Sequence, residues 1–374
     1  MLPFIDLKRQ YKRIEDDVLS RIRKVLDSGH YILGDEVAEL EKQLAAYAGT
    51  KYALACSSGT DALLMALMAL EIGPGDAVFT TPFTFFATPE TVALRGATPV
   101  FSDIDEATYN MDPAKLEAAI QKVLKEGKLT PKAIMPVDLF GQTADYKKIL
   151  PIARKYNLPI IEDACQSFGA ECPCGRRAPS FGTIGCTSFF PAKPLGCYGD
   201  GGAVFTDDEE LYQKMFSILV HGRNANDKYD NARLGLNARL DTVQAAVLLA
   251  KLEIFPEEVE LRQTVAKTYF EELDGAVTLP TIQPGAKSVW AQFCPRSRDF
   301  AKIQEALKAN DIPSARYYPI PMHLLGAMKY LGYAKGDFPV AEACASDIFA
   351  LPMHPYLEAE TIRKIASVIR EAVG

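Results

Sequence analysis

Strand-like apolar runs alternate with helical segments between residues 35 and 210, and this alternation strongly limits the folds open to the chain. It predicts an α/β fold with a mostly parallel sheet that helices cover on both faces. The predicted strands are Tyr52–Cys56, Ala77–Thr80, Thr98–Phe101, Ala133–Val137, Pro159–Glu162, Cys186–Phe190 and Ala203–Thr206. The predicted helices between them are Asp61–Leu70, Thr88–Leu94, Pro113–Val123, Tyr146–Tyr156 and Glu209–Ile218.

A long helical stretch from Val243 past Pro256 to Leu273 is predicted to join two domains, at residues 1–250 and 251–374. The larger domain contains the sheet, and the smaller one is predicted to be a C-terminal α/β unit. Its predicted strands are Trp290–Cys294 and Ser314–Tyr318, and its predicted helices are Ala301–Asn310 and Ala359–Ala372. The first thirty residues predict an amphipathic helix that ends near Ser28 and Gly29.

The net charge of the 374-residue chain is −7, which argues against nucleic acid or an anionic membrane surface as a partner. Residues 1–8 lack a basic start followed by an apolar stretch, so no signal peptide is predicted. The longest apolar run, Ala62–Leu70, is too short to span a membrane. A cytoplasmic location is therefore predicted.

Eight cysteines are scattered along a chain without a secretion signal, and they are predicted to be reduced thiols. Cys172 and Cys174 are the only close pair, and they are separated by one residue where zinc sites usually have two to four. The four histidines are dispersed. No metal site is predicted, and the role of the close cysteine pair stays open.

Lys193 lies in a loop that follows an apolar run and is flanked by aromatic residues and glycines. Partial removal from water would lower the pKa of such an amine and make it nucleophilic near neutral pH. Amines of this kind form Schiff bases with carbonyl groups, including that of pyridoxal phosphate. Taken alone, this segment is equally compatible with an ordinary loop lysine.

Gly59 and Thr60 follow the first predicted strand and open a long helix. Free backbone N–H groups and the helix dipole make such a position an anion site, and Thr60 adds a hydroxyl. An ordinary helix cap by Ser58 or Thr60 is the alternative.

Asp163 ends another predicted strand, and burying its carboxylate requires a partner. A protonated pyridine nitrogen would be one, whereas an arginine or a helix N-terminus would be another. Glu162, its neighbour, is expected to point to the opposite face of the sheet and to be structural. Phe85 follows a third strand and could stack on a cofactor ring or pack in the core. Together with Lys193, these groups match what pyridoxal phosphate needs.

The chain resembles the DegT/StrS-type sugar aminotransferases, which are pyridoxal-phosphate enzymes of fold type I, the aspartate aminotransferase-like class. The resemblance covers nearly the whole chain. It is carried by Tyr31–Gly34, Ser58–Leu63, Thr84–Thr88, Glu162–Gln166, the Lys193 loop, His221–Arg223 and Asn237–Asp241.

The resemblance implies roles for individual residues. Lys193 would form the Schiff base and move the proton, and Asp163 would pair with the ring nitrogen. The remaining cofactor contacts would come from Gly59, Thr60, Asp61, Phe85, Gln166 and Ser188, with Asn237 reaching in from the second subunit of a homodimer. The substrate side would be lined by His221, Arg223, Arg239, Tyr317, Tyr318 and His323.

Within the family, residues 189–202 are similar to the loop of enzymes that aminate UDP-2-acetamido-2-deoxy-3-oxo-glucuronate with glutamate, for surface polysaccharide such as lipopolysaccharide O-antigen. A dTDP-3-keto-6-deoxyhexose is the alternative substrate. The chain departs from that subgroup at Arg316 and Tyr317, where a histidine–tyrosine pair is usual, and at Cys165, where alanine is usual. Arg239 or Arg316 would be the cation for an acidic sugar.

Three other functions fit the sequence less well. A sugar dehydratase of the same fold would carry histidine in place of Lys193. A nucleotide-dependent oxidoreductase would need GxGxxG spacing in the first βα unit, and residues 196–201 lack both the spacing and the position. A non-catalytic regulator would leave every motif residue without a purpose.

Overall fold

Seven strands form the centre of the computed structural model, which describes residues 2–224, 227 and 229–374. The strands are β1 (Tyr52–Cys56), β2 (Asp76–Thr80), β3 (Thr98–Phe101), β4 (Thr130–Ile134), β5 (Ile161–Asp163), β6 (Ile184–Ser188) and β7 (Gly202–Thr206). The helices are α1 (Leu7–Ser28), α2 (Asp35–Ala48), α3 (Gly59–Ala69), α4 (Ala87–Leu94), α5 (Pro113–Glu126), α6 (Tyr146–Tyr156), α7 (Glu209–Leu219), α8 (Thr242–Leu273), α9 (Phe300–Ala309), α10 (Pro339–Asp347) and α11 (Ala359–Val373).

The strands form a three-stranded group, β3-β2-β4, and a four-stranded group, β5-β6-β7-β1. Isolated parallel bridges, Ile134 to Ile160 and Val137 to Asp163, connect β4 with the β5 edge. β7 runs antiparallel to both of its neighbours, while the other named pairs are parallel. The predicted mostly parallel, mixed sheet is therefore confirmed.

Alternation along β1 shows how the sheet is buried on both faces. Ala53 and Ala55 join the hydrophobic cluster beneath α2, α5, α6 and the first half of α8. Leu54 and Cys56 join the opposite cluster, beneath α3 and α7. Successive strand residues point to opposite faces, so the same short strand contributes to two cores.

Several predicted boundaries need correction. β4 was predicted at Ala133–Val137 and lies at Thr130–Ile134, because its parallel ladder with β2 begins at the polar Thr130. β6 was predicted to reach Phe190 but ends at Ser188, so Phe189 and Phe190 belong to the following loop. The long helix is continuous through Pro256, as predicted.

The C-terminal region has a core of its own, in which the second half of α8 packs against α9 and α11. The two strands predicted there are wrong, since residues near Phe293 and Ala315 form only isolated bridges to Leu351 and Ala350. Prolines break these segments and lack the N–H group that a ladder requires; they are Pro295, Pro313, Pro319 and Pro352. The predicted helices of this region are confirmed with small shifts.

The prediction that every cysteine is a reduced thiol is wrong for one pair. Cys172 and Cys174 form a disulfide in a hairpin that Glu171 and Arg177 close, whereas the other six cysteines are free. The cellular compartment alone does not determine whether two cysteines this close in the chain are bonded. Within the described residues, no helix is long and apolar enough to cross a membrane.

Candidate active site

A cavity of about 370 Å³ lies where the segments after β1, β2, β5 and β6 meet. Parallel strands bring their carboxyl ends to one edge, and the predicted site residues follow those ends. Nine of them line this cavity, namely Gly59, Thr60, Phe85, Asp163, Gln166, Ser188, Lys193, Tyr317 and Tyr318. Thr88, Cys165 and Gln292 also line it, and sequence reasoning gave no role to Thr88 or Gln292.

The start of α3 combines a cap with a close approach. Ser58 caps the helix by accepting a hydrogen bond of 3.0 Å from the amide of Asp61, so the cap interpretation is correct for this residue. At Gly59, a Cβ atom would stand 2.6 Å from Cβ of Ser188 and 2.9 Å from Sγ of Cys165. Only glycine fits there, and the residue itself lines the cavity.

Asp61 lies just outside the cavity. Its carboxylate accepts hydrogen bonds from the hydroxyls of Ser57 and Ser58, and its amide is used by Ser58. These contacts fix the first turn of α3. In this arrangement the predicted phosphate contact by the Asp61 amide would compete with the cap.

Asp163 is buried at the end of β5, with its carboxylate on the cavity. Thr88 donates a hydrogen bond of 2.7 Å to Oδ2, and the amide of Cys165 donates one of 3.3 Å to Oδ1. Thr84 in turn lies 2.9 Å from Thr88, hydroxyl to hydroxyl. Asp163 forms no ion pair within the described part of the chain, so a cationic ligand group would satisfy it.

Gln166 uses both ends of its amide. Its Oε1 accepts a 2.8 Å hydrogen bond from the amide of Phe140, and its Nε2 donates one of 3.0 Å to the hydroxyl of Tyr318. Tyr318 also lies 6.3 Å from the ring of Phe85, centroid to centroid. Phe85 itself is 55% exposed and lines the cavity, which leaves its ring available for stacking.

Lys193 is partly buried on the loop between β6 and β7 and lines the cavity. Removal from water lowers the pKa of its amine, and the nearby Cys165 and Asp163 partly oppose that shift. The sequence predicted this direction. A hydrogen bond of 2.7 Å from the amide of Phe189 to the carbonyl of Gly201 closes the loop at its base.

The far side of the Lys193 loop is held by α8, a contact that sequence reasoning missed. Lys251 is buried and donates a hydrogen bond of 2.5 Å from Nζ to the carbonyl of Gly196. The same ammonium group lies 4.4 Å from the centre of the Tyr198 ring. Gln244 accepts a hydrogen bond of 2.8 Å from the amide of Tyr198. These partners are about fifty residues away in the sequence, so no local pattern reveals them.

Comparison with known proteins assigns this arrangement to a family. Residues 12–370 match the DegT/DnrJ/EryC1/StrS aminotransferase family. The chain belongs to this family. It is 49% identical, over 99% of both chains, to a UDP-2-acetamido-2-deoxy-3-oxo-D-glucuronate aminotransferase of Pseudomonas aeruginosa. It is 42% identical, over 100% of this chain and 98% of the other, to a UDP-N-acetyl-3-dehydro-alpha-D-glucosamine 3-aminotransferase of Acidithiobacillus ferrooxidans.

Solved structures agree with this assignment. A DegT/DnrJ/EryC1/StrS aminotransferase from Brucella abortus is 50% identical, with a TM-score of 0.97 over 100% of both chains. NtdA from Bacillus subtilis, solved with bound PMP, is 29% identical with a TM-score of 0.89 over 100% of this chain and 85% of the other. The fold-type-I prediction is confirmed, and the chain is an aminotransferase of this family.

The other predicted site residues lie outside the cavity of this aminotransferase chain. His221 and Asn237 are exposed. Arg223 borders a separate surface depression beside α7. Arg239 is partly buried, and its Nε has no hydrogen-bond partner among the described residues.

His323 and Arg316 both bind other residues of the chain outside the cavity. His323 is buried and lies 3.0 Å from Glu342, Nε2 to Oε1, so nothing in this arrangement supports a contact with substrate. Arg316 donates to the carbonyls of Ala345 and Ser346 at the end of α10. The idea that Arg316 neutralises an acidic sugar is not supported, because its guanidinium stabilises a helix C-terminus instead.

Proposed function

We propose that this aminotransferase uses pyridoxal phosphate to move an amino group from glutamate to the 3-keto position of a nucleotide sugar. The observation that carries the proposal is the shared cavity of the Lys193 amine and the buried Asp163 carboxylate. The preferred substrate is UDP-2-acetamido-2-deoxy-3-oxo-glucuronate.

The residues present fit the cofactor. Asp163 is a buried carboxylate without a cationic partner in the described chain, and a protonated ring nitrogen would supply one. Gly59 lines the cavity at the start of α3, where a helix N-terminus favours an anion, and Thr60 and Ser188 would add hydroxyls for a phosphate. Phe85 would face the ring, and Gln166 would lie beside it. When bound, pyridoxal phosphate supplies an electron sink for the bonds at the amino carbon.

Lys193 would act twice in each half-reaction. Its Nζ holds the cofactor between turnovers and, once released, moves a proton at the reacting carbon as a general acid–base. The lowered pKa increases the fraction of the amine that is unprotonated, and both tasks use the unprotonated amine. Glutamate would leave as 2-oxoglutarate before the keto sugar enters, so the kinetics would be ping-pong.

The 3-keto UDP-sugar is supported by the two relatives reported above, whose names share UDP and a 3-oxo or 3-dehydro amino sugar. The names differ at the sugar's 6-position, where one is a glucuronate and the other a glucosamine. Identity of 49% against 42% favours the uronate. A dTDP-3-keto-6-deoxyhexose is the second candidate and is less favoured.

A panel of keto sugar nucleotides, each supplied with glutamate and read by mass spectrometry of the product, tests the substrate. We expect the UDP uronate to be aminated fastest. A dTDP-3-keto-6-deoxy sugar that reacts faster would overturn the substrate assignment. Lys193→Ala is expected to abolish turnover, and steady-state transamination by that variant would overturn the function itself.

A homodimer with shared sites would explain why several predicted residues lie outside the cavity. Within the described lining, Lys193 is the only Lys, Arg or His side chain. A single positive side chain provides little positive charge to bind the anionic diphosphate of a nucleotide sugar. We propose that the partner's Asn237 and the partner's Arg239 complete the site, with the partner's His221 and the partner's Arg223 nearby. Tyr317 and Tyr318 would contact the sugar from within the same chain.

Mixing two inactive variants tests this sharing. Lys193→Ala and Asn237→Ala would each lack activity, but a mixed dimer would contain one site with neither change. Random exchange of subunits would restore about a quarter of wild-type activity. Failure to recover any activity after verified exchange would place Asn237 in the site of its own chain.

The remaining assignments are coarser. We propose a division of the chain into domains at residues 1–250 and 251–374, a cytoplasmic location, and a place in the synthesis of surface polysaccharide such as lipopolysaccharide O-antigen. Limited proteolysis near residue 250, cell fractionation and the glycan profile of a deletion strain would test these three proposals in turn.

A further inference from the structure

Two buried carboxyl groups lie next to Asp163 but outside the cavity. Glu162 precedes Asp163 in β5 and points to the opposite face of the sheet. Asp138 lies in the neighbouring segment, where its amide donates a hydrogen bond of 3.0 Å to the carbonyl of Asp163. Both carboxyl side chains are fully shielded from solvent, and neither has an ion-pair partner in the described chain.

Asp138 is surrounded by donors. Its Oδ1 accepts hydrogen bonds from the amide of Ala144 at 2.8 Å and the hydroxyl of Tyr146 at 2.9 Å. Its Oδ2 accepts one from the hydroxyl of Ser167 at 3.2 Å. Three donors of this kind stabilise an ionised carboxylate.

Glu162 is satisfied on one oxygen only. Its Oε2 accepts hydrogen bonds of 2.6 Å from the amide of Phe181 and 3.0 Å from the amide of Gly182. Its Oε1 is buried and receives no hydrogen bond from any donor in the described chain. The carboxyl of Asp138 lies on the same face of the sheet, because Val137 pairs with Asp163 in parallel register. The ring of Tyr146, a donor to Asp138, also stacks 4.5 Å from that of Phe181, whose amide donates to Glu162. Asp138 can hydrogen-bond to Oε1 only if a proton lies between the two carboxyls.

The raised pKa values of both carboxyl groups agree with a proton between them. Burial and, to a smaller extent, the charge of Asp163 raise the pKa of Asp138 to about 7 against the effect of its three donors. Burial and the nearby Asp138 raise the pKa of Glu162 well above its usual range. Besides each other, the titratable groups facing the pair are Tyr146 from α6 and Asp163 from β5. Two ionised carboxylates here would place two negative charges side by side in the core, whereas one proton leaves a single charge that the donors around Asp138 stabilise.

We propose that Asp138 and Glu162 share one proton at neutral pH, which leaves Asp163 as the carboxylate that carries charge towards the cavity. The two are positioning residues, since they act on Asp163 through β5 and its neighbouring segment. This role in catalysis rests on the proposed function, whereas the shared proton does not. A second charge behind β5 would oppose the charge of Asp163, just as Asp163 opposes ionisation of the pair.

Infrared spectroscopy of the apoprotein at neutral pH tests the shared proton directly. The wild type should show the carbonyl stretch of a protonated carboxylic acid. Both Glu162→Gln and Asp138→Asn should remove that band, because the new amide donates to the remaining carboxylate and makes the proton unnecessary. A band that survives Asp138→Asn would mean that Glu162 is protonated independently, and this would overturn the proposal.

Glu41→Gln is the matched control. Glu41 is another largely buried carboxyl group whose pKa burial raises to about 7, and its partner is the amide of Ala55 in β1 rather than a second acid. Its substitution should remove only its own band and leave that of the pair. Loss of the pair's band in this control would overturn the assignment of the band.

The coupling to Asp163 is tested by pH. The pair's folded pKa values are raised, so the stability that the proton confers is present at low pH and is lost as pH rises through about 7. Thermal unfolding of the apoprotein should show this loss in wild type and not in Glu162→Gln. Asp163→Asn should shift the loss, and the disappearance of the infrared band, to lower pH.

An unshifted band in Asp163→Asn would refute the link to the cavity. Failure of the proposed function would be separately visible, because the protein would then show no visible absorbance change on addition of pyridoxal phosphate while the infrared result could still stand.

Discussion

The hydroxyl of Thr88 donates a hydrogen bond of 2.7 Å to Oδ2 of Asp163, and both residues are buried at the edge of the proposed cofactor site. The two are seventy-five residues apart in the chain. Thr88 lies in the first turn of α4, and Asp163 ends β5. The pairing therefore joins the segments after two different strands and fixes the direction of the carboxylate.

Thr88→Val should lower the free energy of unfolding of the apoprotein by about 1.5–3 kcal/mol, the usual range for a hydrogen bond to a charged group. Valine keeps the shape and leaves the buried carboxylate without this donor. Chemical denaturation would measure the loss. Thr91→Val is the control, because Thr91 is equally buried on α4 but donates to a neutral backbone carbonyl. Equal losses in both variants would contradict the prediction, and Thr88→Ser should recover most of the stability.

Gly59→Ala should weaken the binding of pyridoxal phosphate about tenfold to a hundredfold, since overpacking of this kind costs about 1–3 kcal/mol. The added Cβ would press on Ser188 and Cys165 at the proposed phosphate end. Titration of the visible absorbance would measure the change. Gly73→Ala is a suitable control, because the nearest atom to its Cβ would be 3.9 Å away. Unchanged affinity in Gly59→Ala would argue against a phosphate at the start of α3.

Borohydride reduction of the protein loaded with pyridoxal phosphate should attach the cofactor to Lys193 alone. Burial lowers the pKa of Lys193 and also that of Lys251, to about 8 in the latter case. Only Lys193 lines the cavity, so geometry and not basicity should decide the site of attachment. Peptide mapping by mass spectrometry would identify the modified lysine. Label found on Lys251 would contradict the assignment.

Lys251→Met should change the pH dependence of stability in a defined window. The ordinary pKa of lysine is 10.5, and burial lowers that of Lys251 to about 8. Between these values the unfolded chain binds more protons, so wild type gains stability as pH rises, by about 3 kcal/mol in total. The variant lacks this gain. Denaturant unfolding at several pH values would compare the two, and parallel curves would show that Lys251 titrates normally.

Local sequence signals predicted some elements to the residue and misplaced others. The predicted bounds of α6 match the observed ones, where Asp145 caps the start and Asn157, in a left-handed conformation, follows the end. β4 was misplaced because its ladder with β2 uses polar residues that carry no apolar signal. The C-terminal bridges were mistaken for strands because apolar composition does not show whether a ladder can form around prolines.

Some residues of the candidate site could likewise be predicted from the sequence, and others could not. Lys193, Asp163 and Gly59 stand at strand ends, and the rule that such ends meet was enough to bring them together. Thr88 opposite Asp163, Lys251 beneath Gly196 and the Glu162–Asp138 pair are contacts between distant segments. A single sequence does not indicate which distant side chains are in contact, so these three contacts could be identified only from the structure.

Because β7 returns antiparallel beside β6, the Lys193 loop leaves and re-enters the sheet at adjacent strands, with Ser188 opposite Gly202. A loop closed this way connects neighbouring strands directly, unlike the helical crossovers that connect the parallel strands, and α8 holds its far side through Lys251. The ladder between β6 and β7 therefore sets the position of Ser188, and the contacts with α8 set the position of residues 196–198. The amine of Lys193 is thus held from two independent directions, by the strand pair at the base of its loop and by the helix behind it.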